Sequence, residues 1–257
     1  MRAQLVISIS VALAVFLPAC SKPESEAVSE PQSDAAEAAA ESLRGPDAGQ
    51  AGGADPSVAD PDHYTVEFEN EAVRILRIQY DAGEDSVMHY HPDSVAVFLT
   101  DIQGQMSFSD GSVTEIDAPA GSTVFSSAGE HKPTNTSDSA WEVVEVELKA
   151  RDGAGSEPGG PDAIVADPDH YTTEFENDDV RVLRIAYGAG EGSVMHYHPD
   201  AVAVFLTDHL VAFELPDGTT EEISAAAGDA LFVPGGQHLP RNIADSGWEL
   251  ILVELKQ

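Results

Sequence analysis

Six of the nine histidines in this 257-residue chain fall into two matching sets. His89 and His91 are followed by His131, and His196 and His198 are followed by His238. On a β-strand, residues i and i+2 face the same side, so each His-x-His pair would present two imidazoles together, with Tyr90 or Tyr197 turned away. Two neighbouring imidazoles make two corners of a metal site. The third corner must come from a strand distant in sequence, and His131, just before Pro133, and His238, just before Pro240, stand in later strand-like regions. Borderline divalent ions accept such nitrogen donors, and three protein ligands leave positions open for water or a substrate. Asp93 and Asp200 have strand parity with the pairs, but Pro92 and Pro199 interrupt the strand, so a turn role is expected of them. No Ser-His-Asp constellation, phosphate-cradling glycine loop or dinucleotide fingerprint stands out, and neither does a strong general base.

The elements that must position these residues read as β-structure. Tyr64–Glu69 alternates apolar and polar residues, as a half-buried strand does, and 73–78, 95–99 and 143–148 are short β-branched or apolar runs. Asp110-Gly111 and Asp217-Gly218 carry hairpin-turn chemistry. Neither histidine-bearing region has a sustained helical period. The pattern predicts an all-β sandwich or barrel.

The chain holds this unit twice. Asp60–Thr65 recurs as Asp167–Thr172, Ser86–Asp93 as Ser193–Asp200, and Trp141-Glu142 as Trp248-Glu249, each pair 107 positions apart. Between 60–149 and 167–256, 54 of 90 positions are identical, with no insertion or deletion needed. Two tandem domains follow, 60–150 and 167–257, joined by a Gly/Pro-rich linker over 151–166.

Ahead of them, Met1-Arg2 and the apolar run Leu5–Phe16 fit a secretory signal peptide over 1–19, the run being too short for an ordinary membrane span. Cys20 is the only cysteine, which excludes an intramolecular disulfide and a Cys-based zinc site. Residues 20–59 are rich in Ala, Ser, Glu, Gly and Pro and read as a disordered acidic tether. With Asp+Glu 46 against Lys+Arg 12 and a net charge of −34, the protein would repel phosphates, so nucleic acid is excluded as a partner. The ordinary meaning of such acidity is solubility.

Leu17-Pro18-Ala19-Cys20 resembles the lipobox of bacterial lipoproteins. The resemblance implies cleavage before Cys20, lipidation of its thiol and, with Ser21 next, retention at the outer membrane on the periplasmic side. The spacing Gly83-(x5)-His89-x-His91, followed by Gly121, Gly129, His131 and Asn135, resembles the two motifs of the cupin superfamily. The second copy repeats it as Gly190-(x5)-His196-x-His198, then Gly228-(x5)-Pro234, Gly236, His238-(x3)-Asn242. This implies two cupin-type jelly-roll barrels, a bicupin, with the units packed as an intramolecular pseudo-dimer and further association open. It also implies that His89, His91 and His131, and His196, His198 and His238, each bind one divalent transition metal, Fe(II) first, with Mn, Zn, Ni or Cu as alternatives. Asn135 and Asn242 match the motif asparagine, a turn-stabilising residue.

The chain departs from the family pattern at the glutamate usually found after the second histidine, where Val95-Ala96 and Val202-Ala203 stand. The second motif is also one residue short between glycine and histidine, and Ser127 replaces its proline in the first copy. Three neutral imidazoles leave the full +2 charge on the ion, which favours an anionic or enolisable oxygen ligand. The expected function is therefore an exported metal-binding bicupin, a dioxygenase-type oxidoreductase acting on a small substrate. The alternative is a non-catalytic, lipid-anchored module that binds metal or a small carboxylate.

Other residues carry more modest expectations. His63 and His170 should order the Asp-Pro turns. His209, with Ile102 as its counterpart, should lie on the surface. Arg74, Arg77, Arg181 and Arg184 should form solvent-facing ion pairs with the abundant acids, although one per copy could hold a substrate carboxylate.

Overall fold

The computed structural model describes residues 53–149 and 159–256. The expected signal peptide, Cys20, most of the tether and the first part of the linker lie outside the described residues. Among those described, no helix is long and apolar enough to cross a membrane.

The first repeat folds into nine strands: β1 Tyr64–Glu69, β2 Val73–Tyr80, β3 His89–His91, β4 Ser94–Phe98, β5 Ile102–Phe108, β6 Val113–Ala118, β7 Thr123–Ser126, β8 Gly129–Asn135 and β9 Trp141–Leu148. They form two antiparallel sheets, β1-β2-β9-β4-β7 and β3-β8-β5-β6. The second repeat gives β10 Tyr171–Glu176, β11 Val180–Tyr187, β12 His196–His198, β13 Ala201–Phe205, β14 His209–Glu214, β15 Thr220–Ala225, β16 Ala230–Val233, β17 Gly236–Asn242 and β18 Trp248–Leu255. Its sheets have the same strand order, β10-β11-β18-β13-β16 and β12-β17-β14-β15. This is the expected all-β architecture, two tandem jelly-roll barrels. The hairpin glycines Gly111 and Gly218 take φ +86° and +82°, the left-handed region that a side chain would resist.

β1 differs from the alternation read in the sequence. Only Tyr64 is buried: Val66, still in regular register with it, is already exposed, and a bulge between Val66 and Phe68 then shifts the strand's register on β2. Past the bulge, Phe68 stacks on Phe232 of the second repeat, with ring centres 5.6 Å apart and 10° between planes.

The strands at the middle of the five-stranded sheets are buried on both faces. On β9, Trp141 and Val143 face the interior of their own barrel, while Val144 and Val146 join a second core with Val73, Ile75, Val95 and Val97. That second core continues without a break into Val180, Val182, Val202, Val204, Ile251 and Val253. The two five-stranded sheets thus pack back to back. Arg77 and Arg184 cross this seam reciprocally, Arg77 Nη2 donating to the Gly228 carbonyl and Arg184 Nη2 to the Gly121 carbonyl, each at 2.6 Å. The contact is self-complementary, as expected where two copies of one unit meet about a two-fold axis.

Each barrel also carries a short N-terminal strap. Pro56–Ala59 and Ala163–Ala166 are single helical turns, capped by Asp55 and Asp162, which accept from the N–H groups of Ser57 and Ile164. Tyr90 N–H donates to the Ala54 carbonyl and Tyr197 N–H to the Pro161 carbonyl, which fastens each strap beside a His-x-His strand. Three of the five residues of 55–59 recur at 162–166, so the repeat extends upstream of its more obvious start at Asp60.

Candidate metal centres and their surroundings

Strand register brings each trio together. β3 pairs with β8 so that His89 lies directly opposite His131, and β12 pairs with β17 so that His196 lies opposite His238. The imidazoles of His89, His91 and His131 have ring centres 4.9–5.0 Å apart. Those of His196, His198 and His238 lie 4.9–5.3 Å apart. One ring nitrogen from each member of a trio lies within 4.8 Å of the others. Around an ion with bonds of about 2.1 Å, neighbouring ligand nitrogens stand about 3.0–3.4 Å apart, so the nitrogens need to close by at most about 1.4–1.8 Å.

Hydrogen bonds decide which nitrogens face inward. His89 Nδ1 bonds the Val87 carbonyl at 2.8 Å, and His91 Nδ1 bonds Glu147 Oε1 at 2.7 Å. Both Nδ1 atoms therefore carry a proton and both Nε2 atoms face the trio; His89 Nε2 keeps a lone pair, and His91 Nε2 keeps one whenever its ring is neutral. His89 Nε2 and His91 Nε2 are buried with no hydrogen-bond partner among the described residues. Such orphaned atoms each cost about 1–3 kcal/mol unless something satisfies them. The residues fit a metal ion. In the second barrel His196 Nδ1 and His198 Nδ1 are held the same way, by the Val194 carbonyl and Glu254 Oε1. There, Tyr171 Oη donates to His196 Nε2 at 2.9 Å, a bond that an ion would displace.

Burial is the main force on the rings. It lowers the pKa of His89 and His196 to about 4 and that of His238 to about 3, and it holds His131 well below its ordinary value. His91 goes the other way. Burial opposes its cation, but Glu145 and Glu147 outweigh burial and raise it.

These carboxylates were not legible in the His motif. Glu147 and Glu254 are almost wholly buried, and each clamps a ligand candidate on one side and an arginine on the other. The first relay runs from His91 Nδ1 to Glu147, then to Arg74 Nε at 2.5 Å, and from Arg74 Nη1 to Asp55 of the strap at 2.5 Å. The second runs His198, Glu254, Arg181, Asp162. Their signal in the sequence is the parity of β9 and β18: Glu147 and Glu254 share the inward face with Trp141 and Trp248.

Glu145 has no counterpart, since Leu252 stands at its position. It pairs across β9 and β4 with Ala96, where the family pattern would place its glutamate on the neighbouring strand. Ser94 Oγ donates to Glu145 Oε1 at 2.7 Å, and Glu145 Oε2 lies 3.4 Å from His91 Nδ1. Burial raises its pKa. Tyr64 and Tyr171 complete the two sites. Tyr80 donates to the Tyr64 hydroxyl and Tyr187 to the Tyr171 hydroxyl, while burial drives both acceptors' pKa far up and keeps them protonated.

Several secondary expectations are met. His63 and His170 bond Asp60 and Asp167 in the turns, and Asn135 and Asn242 tie their loops to the carbonyls of Asp81 and Ser139, and of Gly188 and Ser246. Asp93 accepts from Ala128 N–H and Asp200 from Gly235 N–H, which are loop roles rather than ligation. Two expectations are corrected. His209 is 4% exposed and faces the second barrel's interior, because Ile102, its counterpart, occupies an inward position of β5. The four arginines do form ion pairs, but largely buried ones: Arg74 and Arg181 brace the histidines from behind, and Arg77 and Arg184 sit at the seam between barrels.

No family model and no curated protein matches the chain. Solved structures do. AerE from Microcystis aeruginosa superposes with a TM-score of 0.55 at 12% identity, over 76% of this chain and 93% of its own. A variant of the oxalate decarboxylase of Bacillus subtilis superposes with a TM-score of 0.53 at 11% identity, over 75% of this chain and 72% of its own. At such identities the likeness speaks to fold, and it spans both barrels. The chain has the two-barrel fold of the cupin superfamily, that of a bicupin.

Proposed function

We propose that each histidine trio holds one divalent transition-metal ion, and that the first barrel uses it to turn over a small anionic or enolisable substrate in a dioxygenase-type reaction. The observation that carries this reading is the pair of buried, unpartnered Nε2 atoms of His89 and His91, whose Nδ1 atoms are already committed. A bound ion would supply Lewis acidity and, if redox-active, an electron route to dioxygen. The chain's own residues do the rest. Glu147 fixes the tautomer and orientation of His91, as outer-shell carboxylates do for ligating histidines. Tyr64, protonated and already accepting from Tyr80, keeps its own hydrogen for an oxygen bound at the trio. Glu145, held by Ser94 on the cavity wall, is placed to keep or pass a proton at Oε2.

Oxygen consumption by metal-reconstituted protein, with small dicarboxylates, small diketones and small thiols as substrates, tests the reading. Metal-dependent turnover of one class is expected. Glu145→Gln should lower that turnover by about a hundredfold while leaving metal content unchanged, and equal turnover would remove Glu145 from the reaction. A second reading, a non-catalytic module for metal or a small carboxylate, draws support from the second barrel. There Leu252 replaces Glu145, and Glu254 is committed to His198 and Arg181.

We also place the protein at the outer membrane, exported and anchored through Cys20. The run Leu5–Phe16 ending in Leu17-Pro18-Ala19-Cys20 supports this, as does the position of the chain's only thiol. Acyl chains at one residue would hold the protein stably, at about 0.8 kcal/mol per buried methylene. Labelled palmitate should enter the parent and not Cys20→Ala. Equal labelling of both would exclude lipidation there.

A further inference from the structure

The two barrels share their trios, tyrosine pairs and Arg–Glu relays, yet their interiors have diverged. Between 86 and 101, 15 of 16 positions recur 107 residues later, whereas none of the eight between 102 and 109 does. Those eight positions contain β5, and their counterparts contain β14, a strand that passes directly by the trio: Phe213 lies 4.5 Å from His238, ring to ring.

One exchange sets the shape of the cavity. Gly104 lets Trp141 lie flat against its strand, since a Cβ there would stand 2.2 Å from Trp141 Cη2 and 2.3 Å from the Thr134 carbonyl. Val211 occupies the matching position and forbids that placement. Trp248 accordingly packs otherwise, 4.6 Å from Tyr187 at 35°, while Trp141 meets Tyr80 at 5.9 Å and 71°. In the first barrel, Trp141, Ile102 and Met106 leave a cavity of about 70 Å³. In the second the cavity is about 370 Å³, within the range of about 300–1,000 Å³ of small-molecule sites. Its walls are mainly apolar, with Leu231, Val233 and Leu250 among them.

A second exchange adds a polar group to that largely apolar space, which Glu221, Gln237 and the buried, unpartnered Trp248 Nε1 also border. His209 replaces Ile102, its ring packed 4.1 Å from Trp248 and 4.8 Å from Phe205, and its Nδ1 is buried without a partner. Burial lowers its pKa to about 4, so the ring is neutral and has one donor and one acceptor to offer. It stands four residues before Phe213 on β14, about 13 Å along the strand at about 3.3 Å per residue. The trio and His209 therefore mark opposite ends of the cavity.

We propose that the second barrel binds an organic carboxylate with an apolar body and a distal hydroxyl, the carboxylate at the trio and the hydroxyl read by His209, while the first barrel admits only ligands of a few heavy atoms. The carboxylate end rests on the metal-holding reading above; the body and the distal group rest on the cavity and His209. His209 is the specificity-determining residue, and Val211 opens the space.

Each barrel has one tryptophan on its cavity wall, so W141F and W248F each leave a reporter for one barrel. The zinc-loaded full chain is titrated with phenylpropionate and with its para-hydroxy derivative. Trp248 emission should respond saturably to both, with the hydroxylated probe at least about tenfold tighter, the size of one good hydrogen bond. Trp141 should respond to neither. H209I, the residue of the first barrel, should abolish the tenfold preference while keeping affinity for phenylpropionate, and H209Q should restore part of it should H209I fold poorly. Equal responses from both tryptophans, or an intact preference in H209I, overturns the proposal. Bound zinc measured in the same samples separates the two readings. Zinc bound with a silent Trp248 overturns this inference alone. No zinc bound, with the Trp248 preference intact, upholds the cavity and overturns the metal.

Discussion

Glu147→Ala should weaken the first barrel by about 3 kcal/mol and lower its metal affinity by about 10- to 100-fold. Both effects follow from one carboxylate with two duties. Glu147 is 2% exposed, bonds His91 through Oε1 and pairs with Arg74 through Oε2. Removing one member of a buried pair costs about 3–5 kcal/mol, because the remaining charge stays desolvated. The lower end applies here, since Arg74 keeps Asp55 at 2.5 Å. Set against a typical total stability of about 5–15 kcal/mol, that is a large fraction. The metal effect arises because His91 loses the acceptor that fixes its Nδ1 proton, so Nε2 is no longer held ready. Denaturant unfolding of the chelated protein reads the first effect, and competitive metal titration reads the second. Glu147→Gln should recover part of the metal affinity, as it keeps an acceptor for His91. Unchanged affinity in Glu147→Ala would mean that the relay does not orient the ligand.

Val146→Asp should be costlier still, more than about 4 kcal/mol. Val146 is fully buried between the five-stranded sheets, and its cross-strand neighbours are Ile75 and Val95, also fully buried and apolar. A carboxylate there has no cation beside it and must either stay neutral or unfold the seam. Val146→Ala is the graded control, expected to cost about 2 kcal/mol through lost burial and a small cavity. Thermal unfolding distinguishes them. A Val146→Asp protein melting with the parent would contradict a dry core shared by the two barrels.

How much of this was legible beforehand varied with the length scale of the signal. The repeat exposed the two-barrel organisation, and short β-branched runs with Asp-Gly turns exposed the strands, because both are local patterns. His89 and His91 were legible from strand parity. His131 was legible as a candidate third corner in a later strand-like region, which the motif resemblance strengthened, but nothing local announces that β8 pairs with β3 in a register that sets it opposite His89. Glu145, Glu147 and Glu254 escaped for a similar reason: acids in a chain with 46 of them look like solvated surface until β9 and β18 are known to be buried on both faces. His209 was misplaced because a lone histidine without a counterpart reads as surface, although the buried Ile102 at the matching position held the correct information. The exposure of β1 beyond Tyr64, and the bulge after Val66, are features that no periodicity reveals.

Elemental analysis of anaerobically purified protein tests the central claim most directly, with His89→Ala and His196→Ala made singly and together. Two trios predict two transition-metal ions per chain in the parent, one in either single variant and none in the double variant. Parent protein without stoichiometric metal, or a double variant that keeps its full complement, would contradict the account.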